Sequence, residues 1–342
     1  MTIIMEKKDK AIGPLKSIID AKTFLAPLAG VSDLPFRIMA RKYGCVFAFT
    51  EMIDVNGVYY GNMKTLDMIR TREDHEGLGV QIVGEDAGKI LNAAEICQGE
   101  GFSLVDINAG CPARKVVSAG KGSALLKEPL KLASILRLLR KKIHITLTLK
   151  IRSGWDEANI NCIEISRIAE AEGVNAVTVH PRTQKQAFKG KPDHDLTRMV
   201  KEAVAIPVFA SGNVFSPEDA KTILTHTGCD AVAIARGSFG RPWIFSDTRS
   251  FLESGTYGSA LSLQGLKKVI EEHFEIALGS FDRKRLFSRM YKHITWYLKG
   301  FKGLDPVMRR YTGIKDLEGL KIMLVELEVD ERNKLYFKER NG

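Results

Sequence analysis

Eight short apolar segments, most of them rich in β-branched residues, recur along the first 245 residues with segments of helix length between them. They predict strands over Phe24–Leu28, Val46–Phe49, Val80–Val83, Leu104–Ile107, Ile145–Ile151, Ala176–Val179, Val208–Ala210 and Ala231–Ala235. The intervening segments predict helices, for example over Ala87–Glu100, Pro129–Lys141, Ile163–Glu172 and Pro217–Thr227. Because strand–helix alternation is typical of a parallel sheet, eight repeats over this length predict a closed (β/α)8 barrel, the TIM barrel.

An open, doubly wound sheet is the alternative architecture for the same alternation. Its nucleotide-binding form carries a GxGxxG fingerprint directly after the first strand. Here the first strand continues into Ala26-Pro27-Leu28-Ala29-Gly30, which lacks that pattern. The sequence therefore favours the closed barrel.

The strand pattern stops after about Phe245 and amphipathic helical patterns replace it. These patterns predict helices over Leu266–Leu278, Leu286–Leu298 and Gly313–Glu328. We therefore predict an N-terminal extension over residues 1–19, a barrel over 20–245 and a small helical domain over 246–342. Because no low-complexity linker separates the last two parts, we expect them to pack closely.

Composition limits the class of protein. Hydrophobic residues make up 44% of the 342 residues, which suits a globular core, and no apolar run approaches the ~20 residues of a membrane helix. The five cysteines are scattered and form no CxxC pair, which predicts reduced thiols in a cytoplasmic protein without a metal site. The net charge of +10 favours a polyanionic partner. We expect a monomer.

A cysteine follows the fourth predicted strand. The strand Leu104–Ile107 ends in Asn108-Ala-Gly-Cys-Pro112, where glycine frees the backbone and proline prevents a further ladder hydrogen bond. Cys111 is therefore expected on a loop at the carboxyl end of a barrel strand, where barrel enzymes carry out their chemistry. A buried, inert thiol is the alternative interpretation.

Polar side chains follow most of the other strands. They are Gln81 and Asn108, Lys150 and Arg152, His180 and Arg182, and Ser211-Gly212-Asn213 and Arg236-Gly237, with Glu51 after the second strand and Pro27-Leu28-Ala29 after the first. Each has an ordinary structural explanation, but strand ends converge on one face of a barrel, so together they predict a shared site.

The loops after strands seven and eight predict a phosphate site, because glycine lets backbone N–H groups approach an anion and Arg236 can bind phosphate. The role of Lys150 stays open at this point. A cation there would suit an anionic reduced flavin, a Schiff base or a phosphate contact.

Five segments resemble the tRNA-dihydrouridine synthases of the bacterial, FMN-dependent type. They are Leu25–Asp33, Asn108–Pro112, Leu149–Trp155, Val179–Thr183 and Arg236–Phe245, and they occur in the family's order. Lys292-His293 and Trp296–Gly300 resemble the RNA-binding helical motif of that family. Residues 281–310 also hold nine Lys or Arg against two acids, with aromatic residues among them, which suits RNA, although a solvated basic helix would show the same pattern.

The resemblance implies reduction of the C5–C6 double bond of specific uridines in tRNA to 5,6-dihydrouridine. NADPH would reduce FMN, the flavin N5 would pass a hydride to C6, and Cys111 would give a proton to C5. The implied FMN ligands are Pro27, Leu28, Ala29, Gln81, Lys150, His180, Ser211, Gly212, Asn213, Ala235 and Arg236. The implied RNA contacts are Asn108, Arg152, Arg182, Lys292 and His293.

The chain departs from the family pattern at several positions of the site. Ser211-Gly212-Asn213 stands for Asn-Gly-Asp, and Ala109, Pro181 and Ala235 replace a methionine and two glycines. Two alternatives therefore stay open: an FMN barrel that reduces a small molecule, and an RNA-binding relative without cofactor. The sequence does not decide which uridines are modified, whether another RNA is the substrate, or whether NADPH or NADH is used.

Overall fold

A computed structural model describes residues 13–70 and 77–337. The predicted N-terminal extension lies outside the described residues as far as residue 12, and residues 13–21 form a helix, α1. The barrel strands are β1 (Thr23–Leu25), β2 (Ala48–Phe49), β3 (Ile53–Asp54), β4 (Leu78–Val83), β5 (Leu104–Ala109), β6 (Thr146–Arg152), β7 (Ala176–His180), β8 (Val208–Ser211) and β9 (Ala231–Ile234). All eight predicted strands are present, within a few residues of their predicted bounds.

The sheet closes on itself. Neighbouring strands pair in parallel in the order β2-β1-β9-β8-β7-β6-β5-β4, and β2 also pairs with β4. The short strand β3 pairs with β4 just beyond β2, so β2 and β3 occupy one position in the barrel. Eight strand positions therefore form a closed parallel barrel, which confirms the TIM-barrel prediction.

Helices connect the strands and cover the barrel. They are α2 (Leu34–Lys42), α3 (Val55–Tyr59), α4 (Met63–Arg70), α5 (Ala87–Gly99), α6 (Arg114–Val117), α7 (Pro129–Lys142), α8 (Cys162–Ala171), α9 (His194–Ala203), α10 (Pro217–Thr227) and α11 (Ile244–Ser254). Local sequence explains their ends. Ser216 and Asp219 form a capping box at the start of α10, and Gly228 ends that helix in the left-handed conformation.

The barrel interior has an apolar floor and a polar top. Near the amino ends of the strands, the rings of Phe24, Phe49 and Phe209 pack edge to face, and α1 adds Leu15 and Ile18 to the same cluster. Near the carboxyl ends, inward positions carry polar side chains instead. The barrel interior therefore consists of a packed apolar core near the amino ends of the strands and a polar cavity that opens at their carboxyl ends.

The C-terminal part consists of α12 (Leu263–Ser280), α13 (Arg283–Tyr297), α14 (Leu304–Thr312) and α15 (Leu317–Glu326), followed by an antiparallel hairpin of β10 (Leu327–Val329) and β11 (Leu335–Phe337). The predicted helix over Gly313–Glu328 was wrong at both ends. Its first residues form the turn after α14, and its last residues enter β10. These helices share one apolar core that includes Met39 of α2, so they pack on the barrel. Within the described residues, no helix is long and apolar enough to cross a membrane.

Candidate active site

A cavity of about 340 Å³ opens at the carboxyl ends of the barrel strands. Fourteen of the residues predicted to form a site line it: Pro27, Leu28, Ala29, Gln81, Asn108, Cys111, Lys150, Arg152, His180, Ser211, Gly212, Asn213, Ala235 and Arg236. Five of the predicted residues do not line it: Glu51, Arg182, Gly237, Lys292 and His293. Parallel strands bring these side chains together from positions as far apart in the chain as Pro27 and Arg236, as the barrel topology requires.

Lys150 places a cation in this cavity. Among residues 13–70 and 77–337, its ammonium has no hydrogen-bond or ion-pair partner. Burial, and then repulsion from Arg152, lower the pKa of Lys150 to about 8, while the nearby carboxylate of Asp106 acts in the opposite direction. A half-buried cation without a partner is costly, so this position favours an anionic ligand.

His180 is neutral at physiological pH. Burial lowers its pKa well below the ordinary value, and the positive charges of Lys150 and Arg152 lower it further. Its Nε2 lies 3.3 Å from Nη1 of Arg182, so the neutral ring accepts a hydrogen bond from that guanidinium. This places a flat, uncharged ring on the cavity wall.

A carboxylate lies beneath the polar top of the barrel. Asp106 is 2% exposed, and it accepts hydrogen bonds of 2.6 Å from Gln81 Nε2 and from Thr148 Oγ1. Burial raises the pKa of Asp106 to about 6, although both hydrogen bonds and the charge of Lys150 lower it. The carboxylate therefore stays mostly ionised at neutral pH. Because it can only accept, it orients the Nε2 end of the Gln81 amide towards itself.

The hydrogen-bond chain continues from Gln81 to the cysteine loop. Gln81 Oε1 accepts from Asn108 Nδ2 at 2.7 Å. Asn108 Oδ1 in turn accepts from the backbone N–H groups of Gly110 at 3.0 Å and Cys111 at 2.8 Å. Because each amide has one donating and one accepting end, Asp106 sets the orientation of both side chains and, through them, the position of Cys111.

The far end of the cavity is formed by the loop after β8 and by Arg236. Gly212 has φ +118° and Asn213 has φ +56°, so this loop turns its backbone in a way that β-branched residues avoid. A Cβ on Gly212 would lie 2.8 Å from His180 Cδ2, which explains the glycine. The Asn213 carboxamide oxygen accepts from Arg182 Nη2 at 3.1 Å, and Arg236 lies beside it at 3.5 Å.

Arg152 and Arg182 are buried, with 2% and 1% of their surfaces exposed. Backbone carbonyls take most of their donors. Arg152 donates to Gly110, Thr183 and Ala187, and Arg182 donates to Lys189 and Gly190. The two arginines therefore hold the loops around the cavity. The family resemblance predicts that both arginines contact RNA directly. Arg182 is buried and does not line the cavity, so its expected contact is corrected to a role in holding the loop.

The predicted RNA contacts on α13 differ in exposure. Lys292 is exposed, and its ammonium lies near Gly30, at the rim of the barrel mouth. His293 is 1% exposed and stacks on Phe36, with ring centroids 5.1 Å apart. His293 therefore has no surface for RNA, and its expected contact is corrected to a packing role between α13 and the barrel.

An ion pair that the sequence did not predict joins α13 to the barrel mouth. Arg289 donates to Glu51 Oε1 at 3.1 Å from both terminal nitrogens, and its Nη1 lies 3.5 Å from Asp33. Glu51 also accepts from the backbone N–H of Gly30, next to the cavity residue Ala29. The helical part is thus tied directly to a loop that lines the cavity.

Other site residues were also missed. Asp106 shares the inward face of β5 with Asn108, so a carboxylate in an otherwise apolar strand was an available signal. Phe188 had no such signal, because it reaches the cavity from the long loop after β7. Its ring lies between Arg152 and Arg236, whose guanidinium carbons are 5.5 Å and 5.3 Å from its centroid.

Comparison with known proteins gives matches over most of the chain. The model of the dihydrouridine synthase family matches residues 24–331. The chain is 38% identical over 307 residues to tRNA-dihydrouridine synthase B of Vibrio parahaemolyticus, which covers 88% of this chain and 94% of that protein. It is 37% identical over 321 residues to tRNA-dihydrouridine synthase B of Pasteurella multocida, with 94% and 96% covered.

Among solved structures, a histamine dehydrogenase from Rhizobium sp. 4-9 matches with a TM-score of 0.52 at 12% identity. The match covers 75% of this chain and 49% of that one, so the chain spans about half of that enzyme's length. At this level of identity, the likeness shows a shared barrel fold alone.

Proposed function

The chain belongs to the dihydrouridine synthase family, and from that premise we propose that it reduces the C5–C6 double bond of uridines in tRNA, with FMN bound in the barrel cavity and NADPH as the reductant. The observation that carries this proposal is the arrangement of Lys150, Cys111 and the Ser211–Asn213 loop around one cavity. The net reaction adds two hydrogens: a hydride to C6 and a proton to C5.

The residues of the cavity fit FMN. The volume of the cavity, about 340 Å³, lies within the range for a cofactor site. The loops at Ser211–Asn213 and Ala235–Arg236 would hold the phosphate, and the unpaired ammonium of Lys150 would face the N1/O2 side of the ring, where reduction places negative charge. When bound, FMN would supply the hydride that C6 of the uracil receives.

The chain's own residues would complete the reaction around the target base. Addition at C6 builds negative charge at C5 and O4, so an acid is needed over C5. We assign this role to Cys111, because its thiol lines the cavity and Asn108 holds its loop. The target base must leave the RNA stack to enter the cavity, and this costs a few kcal/mol.

The helical part would offset that cost by binding RNA. Exposed basic residues on and after α13 include Arg283, Lys284, Lys292 and Arg309. Lys292 lies at the rim of the barrel mouth, so we propose that phosphates of the RNA bind there while the base enters the cavity. We retain 20–245 as the catalytic part and 246–342 as the RNA-binding part of this proposal, in a cytoplasmic monomer.

A prediction about Asp106 tests the hydrogen-bond chain. Asp106→Asn can still accept from Gln81 and donate to Thr148, so it removes charge but keeps the chain. We expect FMN affinity at pH 7 to fall less than about tenfold in this variant. Asp106→Ala leaves the amide nitrogen of Gln81 unpaired. We therefore expect the turnover of Asp106→Ala with RNA to be at least about tenfold lower than that of Asp106→Asn. Titration with FMN and single-turnover assays measure both effects.

Two observations test the proposal as a whole. The purified protein should show the visible absorption of a flavin and release a molecule with the mass of FMN. It should also bind tRNA with an affinity that falls steeply as salt rises, which a reductase of small molecules would not require. A colourless protein that FMN does not reconstitute would instead support an RNA-binding relative without cofactor.

A further inference from the structure

A groove of about 1010 Å³ lies beside the cavity, between the barrel and the helical part. Three segments supply most of its walls: residues 236–247 after β9, residues 257–261 before α12, and residues 296–301 at the end of α13. Phe215, Arg236 and Phe239 line both the groove and the cavity. The two spaces therefore meet at the end of the cavity where Arg236 lies.

The groove is positively charged. Its lining carries the cations Arg236, Arg241 and Lys299 against the single carboxylate Asp247, which pairs with Arg241 at 3.4 Å. Lys299 is exposed, and its ammonium has no ion-pair partner within residues 13–70 and 77–337. Lys299 therefore remains for a ligand on the wall formed by the helical part, while Arg236, which we assign to the phosphate of FMN, lies where the groove meets the cavity.

Aromatic rings form much of the groove's surface. Phe239 stacks on Trp296 with ring centroids 4.2 Å apart and planes 19° apart. Phe215 and Tyr257 remain 43% and 38% exposed on other parts of the wall. Exposed rings beside unpaired cations are the surroundings that purine nucleotides bind, by stacking of the base and ion pairing of the phosphates.

We propose that this groove binds the adenine nucleotide half of NADPH. This inference rests on the proposed function, in which a dinucleotide must deliver its hydride to a cofactor inside the cavity. A cavity of about 340 Å³ is near the lower limit for a single ligand, so the cofactor and a whole dinucleotide do not fit in it together. The groove is the adjoining space, and it has the charge and the aromatic surface that the rest of the dinucleotide needs.

RNA fits the groove less well. A tRNA spreads its phosphates over a wide surface, and the exposed basic residues that suit it, such as Arg283, Lys284 and Arg309, lie outside the groove. Lys299 alone of the basic residues between 281 and 310 lines it, so the inference reassigns this lysine, which lies in the Trp296–Gly300 segment that resembles an RNA-binding motif, from RNA to the reductant. The distribution of charge therefore assigns separate surfaces to the reductant and to the RNA.

The test uses the holoenzyme and separates the two half-reactions. The oxidised protein is mixed with NADPH without oxygen, and the loss of flavin absorbance is followed at several NADPH concentrations. We expect Lys299→Glu to raise the half-saturating concentration at least about tenfold, because it replaces an attraction to phosphate by a repulsion, and to change the limiting rate less than about twofold. Lys315→Glu makes the same charge change at an exposed site outside the groove and should change neither.

The second half-reaction distinguishes the possible failures. Each protein is reduced with dithionite instead of NADPH and then mixed with tRNA for a single turnover. We expect Lys299→Glu to match the unaltered protein in this assay. If Lys299→Glu slows this step and leaves the NADPH step unchanged, the groove binds RNA and the inference is overturned. If the unaltered protein fails to reduce tRNA even after dithionite, the proposed function is wrong, independently of the groove.

The extra phosphate of NADPH supplies a further readout. If Lys299 binds this phosphate, the unaltered protein should prefer NADPH to NADH, and Lys299→Ala should bring the two half-saturating concentrations closer together. An unchanged preference in Lys299→Ala would contradict an assignment of Lys299 to the extra phosphate.

Discussion

Cys111→Ala is expected to retain its flavin and to lose about 10²- to 10⁴-fold in the rate of uridine reduction, the usual contribution of a general acid. The thiol lies in the cavity on a loop that Asn108 holds through the Cys111 backbone N–H, so the hydrogen bonds that position the loop do not depend on the side chain. The rate is measured in a single turnover after NADPH has reduced the protein.

The matched control is Cys229→Ala. Cys229 is also a free thiol, but it is buried between α10 and β9 and does not line the cavity. Its variant should reduce tRNA at nearly the unaltered rate. A rate in Cys111→Ala within about threefold of the unaltered protein would show that another group gives the proton, and the assignment of Cys111 would then be withdrawn.

Lys150→Met is expected to weaken FMN binding by about 10- to 100-fold, because it removes the charged hydrogen bond that the ring would otherwise receive. The methionine side chain has a similar length and leaves the barrel packing nearly unchanged. Titration of the cofactor-free protein with FMN measures the effect, and unfolding by urea of the same protein serves as the control for stability.

The same lysine predicts a dependence of FMN affinity on pH. Burial lowers the pKa of Lys150 to about 8, so the cofactor-free protein carries this cation below that pH and loses it above. Because FMN is an anion, it binds better to the charged form. The dissociation constant should be nearly constant below about pH 8 and should rise above it by up to about tenfold per pH unit.

Lys150→Met provides the comparison for this pH dependence. Without the ammonium, the rise in the dissociation constant above about pH 8 should disappear, while the overall affinity stays weak. Lys150→Arg keeps a cation at all of these pH values and should also lack the rise. If Lys150→Met and the unaltered protein show the same pH dependence, another group is responsible for it.

The barrel could be predicted because its signal is local and repeated. Each strand is a short apolar run, and each helix follows at a regular interval, so errors of a few residues at the ends did not affect the topology. The convergence of Gln81, Asn108, Lys150 and His180 followed from that topology, since strand ends meet on one face.

Features that depend on packing between distant segments could not be predicted. Arg182 and Lys292 look alike as basic residues in a sequence, yet Arg182 is enclosed by its own loop and Lys292 is exposed at the barrel rim. His293 is one residue from Lys292, and the turn of the helix places it in the core. The Arg289–Glu51 pair and the groove beside the cavity both join segments far apart in the chain, which no local pattern reveals.

The most direct measurement is the chemical analysis of a tRNA after reaction. An unmodified tRNA transcript is incubated with the purified protein and NADPH, digested to nucleosides and analysed by mass spectrometry. We predict that uridine at specific positions gains two hydrogens, that the product requires both NADPH and the flavin, and that Cys111→Ala yields little of it. If the flavin-loaded protein consumes NADPH and leaves every uridine of tRNA unchanged, the proposed reduction of tRNA uridines is contradicted.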